Sequence, residues 1–141
     1  MKINIKYLFF IILLIIIIHS LAIFLGLYNT KPVVIDIPQH FLAGIFFSLF
    51  FLMILEKKSI DYLKSSRLIL FISLLGVSLL GSFLWELLEL ILLNFFTKAA
   101  YELYTYSLTI SDSLTDMLAG VLGGLATYLY IIKKQKALKT T

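Results

Sequence analysis

"LILFISLLGVSLLGSFLWELLELILL", residues 68–93, contains no lysine, arginine, proline or cysteine and only two charged residues, Glu86 and Glu89, set one helical turn apart. At about 1.5 Å per residue a helix of this length outreaches a hydrocarbon core roughly 30 Å thick, so it spans a bilayer with some tilt. Backbone groups in lipid must bond within their own segment, and the run lacks the apolar/polar alternation of a barrel strand. The two glutamates are the anomaly, and the rest of the chain explains them.

Of the 141 residues, 61% are hydrophobic, which together with a strongly positive mean hydropathy excludes an ordinary water-soluble domain. Three further spans follow from the same reading: residues 7–28, 37–55 and 113–132. With no internal repeat and no low-complexity linker, the predicted fold is all-α: one polytopic transmembrane domain over residues 1–141, built as a four-helix bundle. Cysteine is absent, which removes disulfides and thiolate metal sites and leaves oxygen and imidazole as the only metal ligands.

The net charge of +4 matters less than where the cations lie. Lys2 and Lys6 precede the first span, Lys57, Lys58, Lys64 and Arg67 fill the loop 56–67, and Lys133, Lys134, Lys136 and Lys139 form the tail 133–141. Only Lys31 and Lys98 fall in the other two loops. The positive-inside rule therefore puts both termini in the cytoplasm. These basic runs act as topology signals that also attract anionic lipid, not as a nucleic-acid surface. Glu56 and Asp61 read as solvated partners of those lysines, and Trp85, Tyr101, Tyr104 and Tyr106 as interfacial anchors. The opening "MKINIKYLFFIILLIIIIHSLA" also has the form of a signal peptide, but its apolar character continues through "IFLGLY", longer than a typical signal core, so a retained helix is expected.

With that orientation Glu86 lies about 27 Å along its helix from Leu68, near the outer interface. Asp36 and His40 open the second span at the same level, in "VVIDIPQHFLAG", and Asp112 and Asp116 open the fourth, in "TISDSLTDMLAG". Asp36, His40, Gly44 and Ser48 form one helical stripe; Ser78, Ser82, Glu86 and Glu89 form a second; Asp112, Asp116, Gly120 and Gly124 form a third. Each stripe has small residues toward the membrane centre and ionisable groups at its outer end. Small residues let membrane helices approach closely, so the stripes are expected to face one another. An ionised group facing lipid at mid-membrane costs about 2.5–3.5 kcal/mol, and neighbouring carboxylates cannot all ionise cheaply, so the cluster is expected to share protons or hold a cation.

Blander roles exist for most of these residues. Ser113 with Asp116 fits a helix capping pattern, and Asp112 suits a helix N-terminus. Asp36 also reads as a loop acid before Pro38, and Glu89 as a carboxylate reaching the outer headgroups. His40 alone reads equally as a hydrogen-bonded packing residue. His19, with no acidic partner on its own helix, stays outside the cluster.

"DIPQHFLAG", "WELLEL" and "DSLTDMLAGVLGG" resemble, in order, the D-x-x-x-H-F-x-x-G opening, the E-x-x-E helix and the D-x-x-x-D-M segment of YjdF-like membrane proteins. They are also similar to the broader VanZ-like group, and the resemblance runs from Asp36 to Gly124. It implies a small polytopic plasma-membrane protein; the VanZ-like group includes a protein associated with lipoglycopeptide resistance. Glu89 stands where VanZ-like proteins usually have glutamine, and Gly120 where they usually have asparagine. "YSLTIS" lacks the arginine of the VanZ-like pattern and the Q-G-D of the YjdF-like one, so with only Lys98 nearby an anionic headgroup would need a bridging metal.

Three function classes remain open. The outer pocket binds a lipid-linked or cell-envelope ligand or a cation; or His40, Glu86, Glu89 and Asp116, with Asp36 and Asp112 peripheral, hold a divalent cation for intramembrane hydrolysis of a lipid-linked substrate. The third class is a proton or ion transporter, which the nearly apolar inner halves disfavour. Ligand and oligomeric state are not encoded in any recognisable motif.

Overall fold

The computed structural model describes residues 3–27, 32–57, 66–95 and 110–137. Four helices account for them: α1 (Ile5–Phe24), α2 (Pro32–Lys57), α3 (Arg67–Phe95) and α4 (Ile110–Ala137). Each is long and apolar enough to cross a membrane, which makes the chain an all-α membrane bundle as expected.

The helix limits have local causes. α1 starts two residues before the predicted Tyr7, because the Asn4 side chain accepts from Lys6 N at 3.0 Å and caps the first turn. It ends at Phe24, short of the predicted limit at Tyr28: Gly26 takes φ 63°, the left-handed conformation that closes helices, and its N–H donates to Ile23 O at 3.0 Å. α2 begins at Pro32, five residues earlier than expected, and runs through Pro38. Proline suits the first helical position, where its missing N–H has no partner to lose. Asp36 is therefore a helical residue, which corrects its reading as a loop acid. α4 likewise starts at Ile110, so Asp112 lies in the first turn and Asp116 well inside the helix. The capping pattern assigned to Ser113 and Asp116 does not form.

α2, α3 and α4 pack against one another, whereas among the described residues α1 lies along α2. α2 and α4 approach closely enough that a Cβ added at Gly44 would overlap the backbone of Gly120, and one at Gly123 would overlap the Phe41 carbonyl. α3 presents serines to the same face of α4: a Cβ at Gly120 would strike the Ser82 hydroxyl and one at Gly124 the Ser78 hydroxyl. The expected glycine pair on α4 thus meets α3 at both positions and α2 at Gly120, while Gly123, outside the predicted stripe, completes the seam with α2.

Along this seam Ser48 Oγ and Ser78 Oγ are 2.8 Å apart, and the Ser78 hydroxyl is also within reach of Leu74 O at 2.7 Å and Gly44 O at 3.3 Å. Thr127 donates to Gly123 O at 3.0 Å. Buried polar groups in this stretch therefore bond to each other or to their own helix. Below them Leu52, Leu70, Leu74 and Ile131 form an apolar cluster, with Ile3, Phe51, Tyr128 and Ile132 against it. Ile3 N donates to Glu56 Oε2 at 2.9 Å, so Glu56 ties the segment before α1 to the end of α2, which corrects its reading as a solvated partner of lysines. One end of the bundle thus gathers residues before α1, the end of α2, the start of α3 and the end of α4.

Two outcomes are expected. In this cysteine-free chain, Ser48→Cys with Ser78→Cys forms a disulfide on mild oxidation, read as fragments that stay joined after proteolysis between α2 and α3. Gly44→Leu lowers stability in detergent unfolding by about 1–3 kcal/mol or more, the usual cost of overpacking. Gly76→Leu, which meets no atom within 4 Å, leaves the unfolding transition nearly unmoved.

Candidate functional site

The opposite end of the bundle is where three helices deliver ionisable groups. α2 supplies Asp36 and His40 one turn apart, α3 supplies Glu86, and α4 supplies Asp112 and Asp116. His40 Nε2 lies 3.7 Å from Asp36 Oδ1, 3.5 Å from Glu86 Oε1 and 3.9 Å from Asp116 Oδ2. The expected convergence of the second, third and fourth spans is therefore present for His40, Asp36, Glu86 and Asp116. Glu89 sits on α3 one turn beyond Glu86, and its side chain lies outside the described residues, as do Lys31, Lys98, Tyr101, Tyr104 and Tyr106.

The small residues of the seam set this geometry. Gly44 lies one turn beyond His40, and Gly120 one turn beyond Asp116. Their mutual approach brings the imidazole of α2 against the carboxylate of α4. Ser82, one turn below Glu86, rests on Gly120 and brings α3 in at the same height. The side chains are 1% exposed at His40, 4% at Asp116, 12% at Glu86 and 15% at Asp36, an order that runs from the interior toward the end face of the bundle.

Separations of 3.5–3.9 Å exceed the roughly 2.7–3.2 Å of an N–H···O hydrogen bond. Among the described residues neither ring nitrogen of His40 has a hydrogen-bond partner, and the same holds for Glu86 Oε1 and Ser82 Oγ. A buried imidazole with no bonded nitrogen is costly unless something fills the gaps, and a separation near 3.5 Å between polar atoms is where an intervening water or ion fits. Asp112 and Ser113, in the first turns of α4, lie near the Glu86 carboxylate, and Asp112 also lies near Asp36. The described lysines and arginine all lie toward the other end of the bundle, so no described cationic side chain balances the four carboxylates.

Asp36, His40 and Asp116 each offer one ligand atom, and these atoms lie within 4.8 Å of one another. Two ligands about 2.0–2.6 Å from one divalent ion are separated by up to roughly 4–5 Å, so the trio fits the first coordination sphere of such an ion after small adjustments. Asp36, expected to be peripheral, is one of the three, and Glu86 borders them. The donor set of carboxylates and one imidazole suits a hard or borderline cation.

Some polar residues near the site had no sequence signal. Gln39 is buried beside His40, with its amide donating to Ile35 O at 3.2 Å. It lies off the predicted stripe, which is why spacing missed it. Ser113 carried a signal that pointed elsewhere, to a cap.

Length, apolar helices and this end cluster define a small polytopic helical membrane protein. The chain belongs to the family described as "Predicted membrane protein (DUF2238)", whose model matches residues 3–136. No curated protein and no solved structure matches it.

Removing one charge from the crowded carboxylates relieves repulsion when no cation is present. Glu86→Gln is accordingly expected to raise the melting temperature of chelator-treated protein in detergent. Ser82→Ala, which deletes an unpartnered hydroxyl, changes stability by less than about 0.5 kcal/mol, whereas Ser78→Ala, which deletes a bonded one, costs about 1 kcal/mol in the same unfolding measurement.

Proposed function

We propose that this is a plasma-membrane protein with both termini in the cytoplasm, whose cluster at the outer end of the bundle holds a divalent cation. Through that ion it binds the anionic head of a lipid-linked or cell-envelope ligand. The likeness of its three blocks to YjdF-like and VanZ-like proteins favours the plasma-membrane part of this reading. The observation that carries it is the buried imidazole of His40, its nitrogens without a hydrogen-bond partner among the described residues although carboxylates of three residues lie within 3.9 Å of Nε2. Asp36, His40 and Asp116 would hold the ion, with Glu86 at its edge. An ion so held would attract a phosphate-like group, a task the cluster's own negative charge prevents it from doing alone.

A second reading is a metal-dependent intramembrane hydrolase acting on a lipid-linked substrate. Glu86 Oε1, unpartnered and 3.5 Å from His40 Nε2, favours it, because a carboxylate beside the ion is placed to take a proton from attacking water. Transport is less well supported: the polar seam gives way to the apolar cluster of Leu52, Leu70, Leu74 and Ile131.

Elemental analysis of detergent-purified protein is expected to find about one divalent ion per chain, lost in His40→Ala, with a melting temperature that rises on adding the ion back after chelation. Finding no bound ion and no ion-dependent shift in melting temperature would sink the proposal. Glu86→Gln that keeps the ion but abolishes headgroup release from a native lipid extract would favour the hydrolase. For orientation, Ser111→Cys should react with an impermeant maleimide on intact cells, and Thr141→Cys only after permeabilisation.

A further inference from the structure

A second feature lies at the lysine-rich end, far from the acidic cluster and independent of what it binds. Among the described residues α1 packs along α2 and stands off from α4, and a cleft opens between α1 and α4, floored by Ile45 and Leu49 of α2. Its volume is about 300 Å³, at the small end of the range for ligand pockets. Ile11 of α1 and Ala126 of α4 are among its walls, and Tyr7, Tyr130 and Lys134 line it toward the lysine-rich end of the bundle.

We propose that this cleft takes one acyl chain of an anionic phospholipid from the adjoining leaflet, with the phosphate held at Lys134. Three observations argue for that occupant over others. The walls are almost wholly apolar and lie within segments that span the hydrocarbon, where water is scarce and lipid chains are the surrounding medium. Among the described residues that line it, the one charged group is a lysine near the end of α4, at the depth where a headgroup begins. Lys134 Nζ lies 5.8 Å from the centre of the Tyr130 ring, which steadies the ammonium at the rim, and Lys6, Lys133 and Lys136 add positive charge at the same end of the bundle. A zwitterionic headgroup gains less from that field than one with net negative charge. The cleft is narrow, so one chain enters while its sister stays in the bilayer.

The test uses the full chain in nanodiscs of phosphatidylcholine containing phosphatidylglycerol with a photoactivatable group midway along one acyl chain. Crosslinked peptides should concentrate on α1 near Ile11, α2 near Leu49 and α4 near Ala126. Unlabelled phosphatidylglycerol should compete better than phosphatidylcholine, and Lys134→Gln should cut that preference by roughly fivefold, the scale of one basic residue at an anionic surface. Ala126→Trp fills the cleft and should remove labelling there while labelling of the outward faces of α3 persists. Because a tryptophan inserted among packed helices can strain them, Lys134→Gln, near the end of α4, serves as the second variant. Labelling spread evenly over all outward faces, equal competition by both lipids, or crosslinks joining two copies of the chain across this cleft would each overturn the proposal.

Discussion

The contact on which everything else rests is the touching of two backbones. Where α2 crosses α4, Gly44 meets Gly120 with no room for a methyl group, and Gly123 meets the Phe41 carbonyl. Helices in lipid gain nothing from hiding apolar surface, since the solvent is equally apolar, so association depends on close packing and on polar groups that find partners. The glycines supply the first, and the Ser48–Ser78 pair supplies the second. Once these fix the height of each helix, the positions of His40, Glu86 and Asp116 follow, because each stands one turn from a residue of the seam. The charged cluster is therefore a consequence of the packing register and not its cause.

Much of this was legible in the residues. Hydrophobic runs longer than a bilayer is thick leave few alternatives to spanning helices, and a spacing of four is enough to place Asp36, His40, Gly44 and Ser48 on one face. That three helices converge was legible too, because small residues and ionisable groups shared each stripe. What the spacing missed were features that depend on where helices begin and on which neighbour a face meets. Asp36 and Asp116 were partly assigned to helix starts, yet α2 begins at Pro32 and α4 at Ile110, beyond the apolar runs that marked them. Gly123 escaped because it belongs to a different face of α4 from Gly120 and Gly124. Glu56 was misread since its partner, the backbone of Ile3, carries no side-chain signature.

Polar and apolar layers alternate along the bundle axis in a definite order. An acidic layer around His40 is followed by a hydroxyl layer at Ser82, Ser78 and Ser48, and then by the aliphatic layer of Leu52, Leu70, Leu74 and Ile131. Each layer is less able than the last to stabilise a charge, so the cost of moving an ion inward rises step by step. Such a gradient holds whatever enters from the acidic end near that end. It fits a binding or reacting site better than a conduit, and it accounts for the tolerance of several carboxylates in a short stretch of protein: water and headgroups are close on one side only.

The one-sided attachment of α1 carries a different implication. The other three helices form a closed triangle in which loosening any pair strains the remaining contacts, so they should come apart together. α1 belongs to no such triangle. Among the described residues it packs along α2 and is tied to the end of that helix by the hydrogen bond from Ile3 to Glu56, while the left-handed turn of Gly26 closes its other end. The work of building the acidic end thus falls to three mutually packed helices, and α1 adds a wall to the bundle without contributing a side chain to that cluster.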